Sequence, residues 1–174
     1  MRLPKQGPIS ARLNKRAAGF EIMPTRLASR VLPRPPAPGI FMMEKILMAE
    51  IKIISTKAAP AAIGPYVQGK IVGGLLFASG QVPLVPETSK LAEGGIDAQA
   101  RQALTNVKAL VEAAGSSMDR VLKTTCYLKN ISDFAAFNEI YAEFFPQNPP
   151  ARSCVGGIDL PKDALCEIEV IALA

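Results

Sequence analysis

The chain has 174 residues (18.5 kDa) and is 49% hydrophobic, enough for one domain with a real core, yet no apolar run reaches the roughly 18 residues of a membrane-spanning helix. Its formal charge of +5 is lopsided: eight Lys/Arg against Glu21 alone precede residue 41, whereas residues 41–174 carry 12 Lys/Arg and 14 Asp/Glu, which makes the compact part slightly acidic and argues against a phosphate-tracking surface. There is no histidine, which removes His-based acid–base catalysis, Ser-His and Cys-His nucleophile pairs, and most zinc and haem sites.

Residues 1–48 form a basic, proline-rich extension in which neither helical nor strand periodicity holds. Two readings stand. One is an organellar transit peptide, because such segments are Arg-rich and acid-poor; it implies a mitochondrial or plastid protein. The other is an over-extended start, with initiation at Met42, Met43 or Met48 and a cytoplasmic protein. Met43-Glu44-Lys45 must be encoded by a purine run resembling a bacterial ribosome-binding site upstream of Met48, which favours the second reading. Residues 49–174 form the domain.

Ile51 to Ser55 reads as a first strand, followed by a loop punctuated by Pro60, Gly64 and Pro65. Tyr66 to Val72 reads as a second strand, Gly73-Gly74 as a two-residue hairpin turn, and Leu75 to Gln81 as a third strand, apolar on both faces and so central. Pro83 to Gly95 reads as a loop. The spacing of Ala100, Leu104, Val107, Val111 and Ala114 predicts a helix over 97–114, stopped by Gly115. Val121 to Leu128 is a strand of β-formers. A second helix starts at Ser132-Asp133 and runs to about Phe145, with Phe134, Phe137, Tyr141, Phe144 and Phe145 as its apolar face. Phe134, Phe137 and Phe144 are read as core. Arg152 to Val155 and Leu165 to Leu173 complete the strands. The three cysteines, 126, 154 and 166, contain no CxxC; Cys126 and Cys166 are read as reduced core residues.

The order βββ-α-β-α-ββ predicts an α+β sandwich with both helices on one face of the sheet. Two helices cannot cover both faces, so a partner subunit is the expected cover of the other.

The stretch from Pro149 to Glu169 concentrates the chemistry. Arg152 sits in a half-buried strand, where a guanidinium needs a carboxylate, phosphate or carbonyl partner. That partner is either a neighbouring acidic side chain or the carboxylate of a small substrate. In the second case Glu167, on the next strand, is the base that handles water. Cys154 stands two residues beyond Arg152 on the same strand face, as Glu169 does beyond Glu167. A mildly activated thiol is one reading of Cys154; with no histidine to activate it, a pocket wall is favoured over a nucleophile.

The chain resembles the RidA (YjgF) family. The matching pieces are Ala61 to Gly69, Ala78-Ser79-Gly80-Gln81-Val82-Pro83, Gln99 to Gln102 with Asn106-Val107-Lys108, Pro150 to Val155, and Leu160 to Asp163 leading to Glu167-Ile168-Glu169. The resemblance implies a chorismate-mutase-like subunit and a homotrimer whose three sheets form a central barrel, with active sites between subunits. It also implies hydrolysis of 2-imino (enamine) acids, such as 2-aminoacrylate, 2-iminopropanoate and 2-iminobutanoate, to 2-keto acids and ammonia, with no cofactor and no metal.

By the same resemblance Arg152 binds the substrate carboxylate and Glu167 activates water. Tyr66 closes over the substrate, Cys154 lines the site, Ser79 supplies a hydroxyl where Gly80 lets backbone approach a ligand, and Asn138 lies near the cleft. Each has a plainer role beside it: Tyr66 as core packing, Ser79 as a strand cap, Asn138 as a solvent-facing helix residue. Two other functions compete with imine hydrolysis. Some relatives were described as RNA-cleaving translation inhibitors, and a trimer with a vestigial cleft would act as a chaperone-like binder. The acidic domain and the absence of an aromatic–basic patch argue against nucleic acid; the paired Arg152 and Glu167 argue against a vestigial site.

Overall fold

The structure, a computed structural model, describes residues 50–174. The expectations for the first 48 residues lie outside them. Eight strands and two helices follow in the order β1 (Lys52–Ile54), β2 (Gly69–Val72), β3 (Leu75–Gln81), β4 (Leu84–Val85), β5 (Lys90–Leu91), α1 (Ile96–Ala113), β6 (Val121–Leu128), α2 (Phe134–Phe144), β7 (Ala151–Gly156) and β8 (Cys166–Leu173). Six strands make one sheet in the order β1-β2-β3-β8-β6-β7, and β4 pairs with β5 in a small ladder of its own. Only β6 and β7 run parallel within the large sheet, joined by the crossover through α2.

The expected α+β order holds, with the β4–β5 ladder inserted where a plain loop was expected. Gly73 and Gly74, at φ 57° and 79°, make the tight turn between β2 and β3, the backbone shape a two-residue hairpin needs. Strand β3 is interior, as its two-sided apolarity predicts. Strand β2 starts at Gly69 rather than Tyr66. The Gln68 side chain is turned onto the preceding loop: its amide donates to the carbonyls of Thr56, Ala59 and Pro60, and its oxygen accepts from the Thr56 N–H.

Both helices cover one face of the sheet. Alternation along β8 puts Cys166, Ile168, Val170 and Ala172 beneath α1, whose Ala100, Leu104, Val107 and Val111 are fully buried. Helix α1 also carries two buried polar residues. Asn106 donates to the carbonyls of Val82 and Leu84, and Gln99 accepts from the Leu165 N–H, so the helix pins two loops to the core. Its end is closed by N–H groups of Gly115 and Ser116 donating to Glu112 and Val111, a Schellman arrangement.

In α2 the buried residues are Phe137, Ile140 and Tyr141. Phe134, expected in the core, is instead 37% exposed. It opens the helix at the edge strand β7, where no further strand covers it.

The other face of the sheet carries no helix. One row crosses all six strands there: Ile53, Lys70, Phe77, Ile171, Lys123 and Ala151. Phe77, Val155 and Leu173 are each more than 40% exposed on it.

Candidate active site

The six residues singled out in the sequence fall into two groups. The first is built around Glu167. The end of β3 and the start of β8 lie side by side, with Gln81 opposite Ile168 across a local irregularity in the ladder. That irregularity brings Gly80 against Glu167. A Cβ on Gly80 would lie 1.8 Å from Glu167 Oε1, so the missing side chain makes room for the carboxylate. Gly80 was expected to admit a ligand; the group it admits is the catalytic candidate itself.

Around this pair lies a cleft of about 340 Å³, lined among others by Tyr66, Gln68, Ser79, Gly80, Lys162 and Glu167. Burial raises the Glu167 pKa above the ordinary carboxylate value, and the like charge of Glu169 adds to the shift. A carboxylate so placed is a better proton acceptor near neutrality than a solvated one. Tyr66 is 51% exposed, with its hydroxyl accepting from the Ile63 N–H at 3.4 Å. The Ser79 hydroxyl donates to the Val67 carbonyl at 2.6 Å, so its proton is already committed and only its lone pairs face outward. Lys162 was passed over in the sequence. It reaches the cleft rim from a turn in which Lys162 and Asp163 both take positive φ (57° and 63°), a strained pair held by the ion pair between Lys129 and Asp163.

The second group is built around Arg152. Register places Arg152 beside Thr124 and Cys154 beside Cys126, so both point to the helix-covered face. The Arg152 guanidinium lies over two rings of α2, with Cζ 4.5 Å from the Tyr141 centroid and 5.5 Å from that of Phe134. Asn138 sits one turn after Phe134 and just before Tyr141 on the same stripe of the helix, at its exposed side. Burial pushes the Cys154 thiol up, against a smaller opposing pull from Arg152. The thiol is therefore not activated, which leaves the pocket-wall reading.

The two groups do not meet within one chain. Glu167 points to the uncovered face and Arg152 to the helix-covered one, with β6 between their strands. In register Arg152 is level with Thr124 and Val170, three residues from Glu167. That is roughly 10 Å along the strands and roughly 10 Å across them, too far for one three- or four-carbon molecule to touch both. Glu167 and Arg152 therefore share no cleft inside a single chain. Neither residue takes part in an ion pair among the described residues.

What the sequence reading missed was the aromatic bed under Arg152. Tyr141 and Phe134 were visible as a helical stripe, but nothing local tells a stripe residue that packs inward from one that receives a cation.

Residues 56–174 match the family model described as Endoribonuclease L-PSP. The 2-iminobutanoate/2-iminopropanoate deaminase of Salmonella typhimurium is 51% identical over 125 residues, covering 70% of this chain and 97% of that protein. A Lactococcus lactis protein named as a regulator, AldR, is 57% identical over 122 residues, with 70% and 97% covered. The crystal structure of Escherichia coli TdcF with bound serine superposes with a TM-score of 0.68 at 47% identity, covering 71% of this chain and 98% of that one. A family model that spans more than half of the chain, with relatives this similar over nearly their whole length, establishes that the chain belongs to the L-PSP family, the RidA (YjgF) family whose motifs it carries.

Proposed function

We propose that this protein hydrolyses small 2-imino acids to 2-keto acids and ammonia, in clefts formed where the Glu167 side of one copy meets the Arg152 side of the next, three copies closing a ring. The observation that carries the reading is the half-buried Arg152 guanidinium, which has no acidic partner among the described residues and so is open to a substrate carboxylate. The name of the Salmonella typhimurium relative supports the same chemistry. An interface between two different faces of the same chain is heterologous, and such contacts close into a ring when the rotation from copy to copy divides a full turn.

Arg152 grips the carboxylate through its planar fork and orients the imine. Glu167 takes a proton from water as the oxygen attacks the imine carbon. The resulting tetrahedral carbon bears both hydroxyl and amine. Glu167 hands that proton to the nitrogen, completing the amine, then takes the hydroxyl proton and delivers it to the same nitrogen as the carbonyl forms, the carbon–nitrogen bond breaks and ammonia leaves. Water supplies the oxygen of the keto acid and the two added hydrogens of the ammonia, so the reaction needs no oxidant or reductant. Cys154 walls the pocket, and Tyr66, Ser79 and Asn138 line its rim.

The test couples the purified protein to a threonine or serine dehydratase, which releases the imino acid, and follows ammonia. The wild-type chain accelerates release. Arg152→Ala loses the acceleration by about a hundredfold or more while keeping its fold and assembly. Full activity in that variant would remove the carboxylate clamp from the account. The family description as an endoribonuclease favours a second reading, RNA cleavage. RNA degradation by a chain beginning at Met48, undiminished in Glu167→Gln, would favour that reading instead.

A further inference from the structure

Arg152 is held in an unusual way for a half-buried cation. Among the described residues no carboxylate reaches it; its contacts are the faces of two aromatic rings. The nearer ring, Tyr141, is 6% exposed and anchored at its far end, where its hydroxyl lies 2.8 Å from Thr124 Oγ1. Thr124 is itself fully buried, and it is the residue directly beside Arg152 in the parallel β6–β7 ladder. The three residues therefore close a loop: strand register joins Thr124 to Arg152, a hydrogen bond joins Thr124 to Tyr141, and the ring lies under the guanidinium. Phe137 and Phe145 flank the Tyr141 ring, with centroids 5.9 Å and 4.7 Å away.

We infer that Tyr141, tethered by Thr124, is the positioning residue that sets the plane of the Arg152 guanidinium for carboxylate recognition. The inference rests on the carboxylate-binding role proposed above for Arg152. Its physical logic is that an aromatic face and a carboxylate hold a guanidinium differently. A carboxylate occupies the N–H fork and would compete with the substrate acid. A ring attracts the cation through its face and leaves the fork at the edge free. A ring tied at its hydroxyl cannot swing, so the fork it carries is oriented before substrate arrives. Burial pushes the Tyr141 phenol up to about 12, so it stays neutral and the tether is a bond between two hydroxyls. Neither Tyr141 nor Thr124 need touch substrate.

The experiment uses the full chain and two readouts. The first is the order of the Arg152 Nε–H bond by ¹⁵N relaxation, compared in the wild type, Thr124→Val and Tyr141→Leu. The second is the affinity for 2-oxobutanoate, measured by calorimetry. Tyr141→Leu keeps apolar bulk but removes the ring, and Thr124→Val removes the tether alone in case the first variant does not fold. The expected result is a loss of Arg152 order in both variants. With it should come a roughly tenfold weaker hold on 2-oxobutanoate in Tyr141→Leu. The KM for the imino acid should rise by a similar factor with kcat little changed, a split that a general loss of stability does not produce. Tyr141→Phe, which keeps the ring but loses the hydroxyl, should match Thr124→Val: Arg152 order is lost and the affinity falls between those of the wild type and Tyr141→Leu. Unchanged Arg152 order in Thr124→Val, and in Tyr141→Leu if that variant folds, overturns the inference, whatever the enzyme does. A wild type that binds 2-oxobutanoate through an ordered Arg152 but releases no ammonia refutes the deaminase reading and leaves the positioning role standing.

Discussion

Gly80 and Glu167 show how one missing side chain places a catalytic candidate. Gly80→Ala puts a methyl group where the carboxylate sits, and the carboxylate, at the end of a flexible side chain, must swing away. The expected outcome is a loss of about a hundredfold in kcat/KM with an unchanged melting temperature, because a base displaced by an ångström fails while the backbone stays where it was. The neighbouring charge offers a second test. Burial and Glu169 both raise the Glu167 pKa, burial more. As a base, Glu167 works only when ionised, so activity falls as pH drops through that raised value. Glu169→Gln removes the like charge, lowers the Glu167 pKa, and should move the acidic limb of the pH–rate profile to lower pH. Stability has the opposite sign. A carboxylate with a raised folded-state pKa is a burden where it is ionised, above that pKa, and the burden lifts as pH falls toward the unfolded value.

Among the elements, α1 does more than cover the sheet. Its apolar stripe was legible from the sequence, because 3.6-residue spacing is local and burial follows it. The polar residues Gln99 and Asn106 carry no such signal, yet they face inward and bind backbone groups of loops far away in sequence. Asn106 holds Val82 and Leu84, both on the wall of the Glu167 cleft. Asn106→Leu removes both of these bonds, leaving the Val82 carbonyl only its bond from the Leu84 N–H, and should destabilise the fold by about 1 to 3 kcal/mol. Urea unfolding at one fixed protein concentration measures it, since any assembly makes stability concentration-dependent. Gly80 and Asn106 thus act on the same cleft, the first through free space and the second through the loop that closes it.

For the whole molecule, the decisive fact is that the two halves of the site point to opposite faces of the sheet. If copies associate head to tail, two damaged chains can repair each other. Arg152→Ala and Glu167→Gln are each expected to be inactive alone. Co-expressed in equal amounts, they should regain about a quarter of wild-type activity, because in a random ring about one interface in four joins an intact Glu167 to an intact Arg152. The coupled ammonia assay, with native mass spectrometry to count copies, checks it. A mixture that stays inactive while forming mixed rings would place both residues of each site in one chain, against the register described above. The uncovered row running through Phe77 and Ile171 is the surface such a ring has available to bury.

The sequence by itself determined the kinds of element, their order, the helix stripes and the residue types left for chemistry once histidine is absent. All of these depend on neighbours within a few positions, or on counting. Motifs singled out the six candidate residues. Their division into a Glu167 group and an Arg152 group was decided by the tertiary structure alone. Period-two alternation says that residues share a face within a strand; it does not say which strands become neighbours, or which face of one matches which face of another. Here β8, the last strand, inserts between β3 and β6, and the crossover through α2 carries β7 to the far edge. That long-range pairing set Glu167 against Gly80 and Arg152 over Tyr141, two contacts with no signature shorter than the fold.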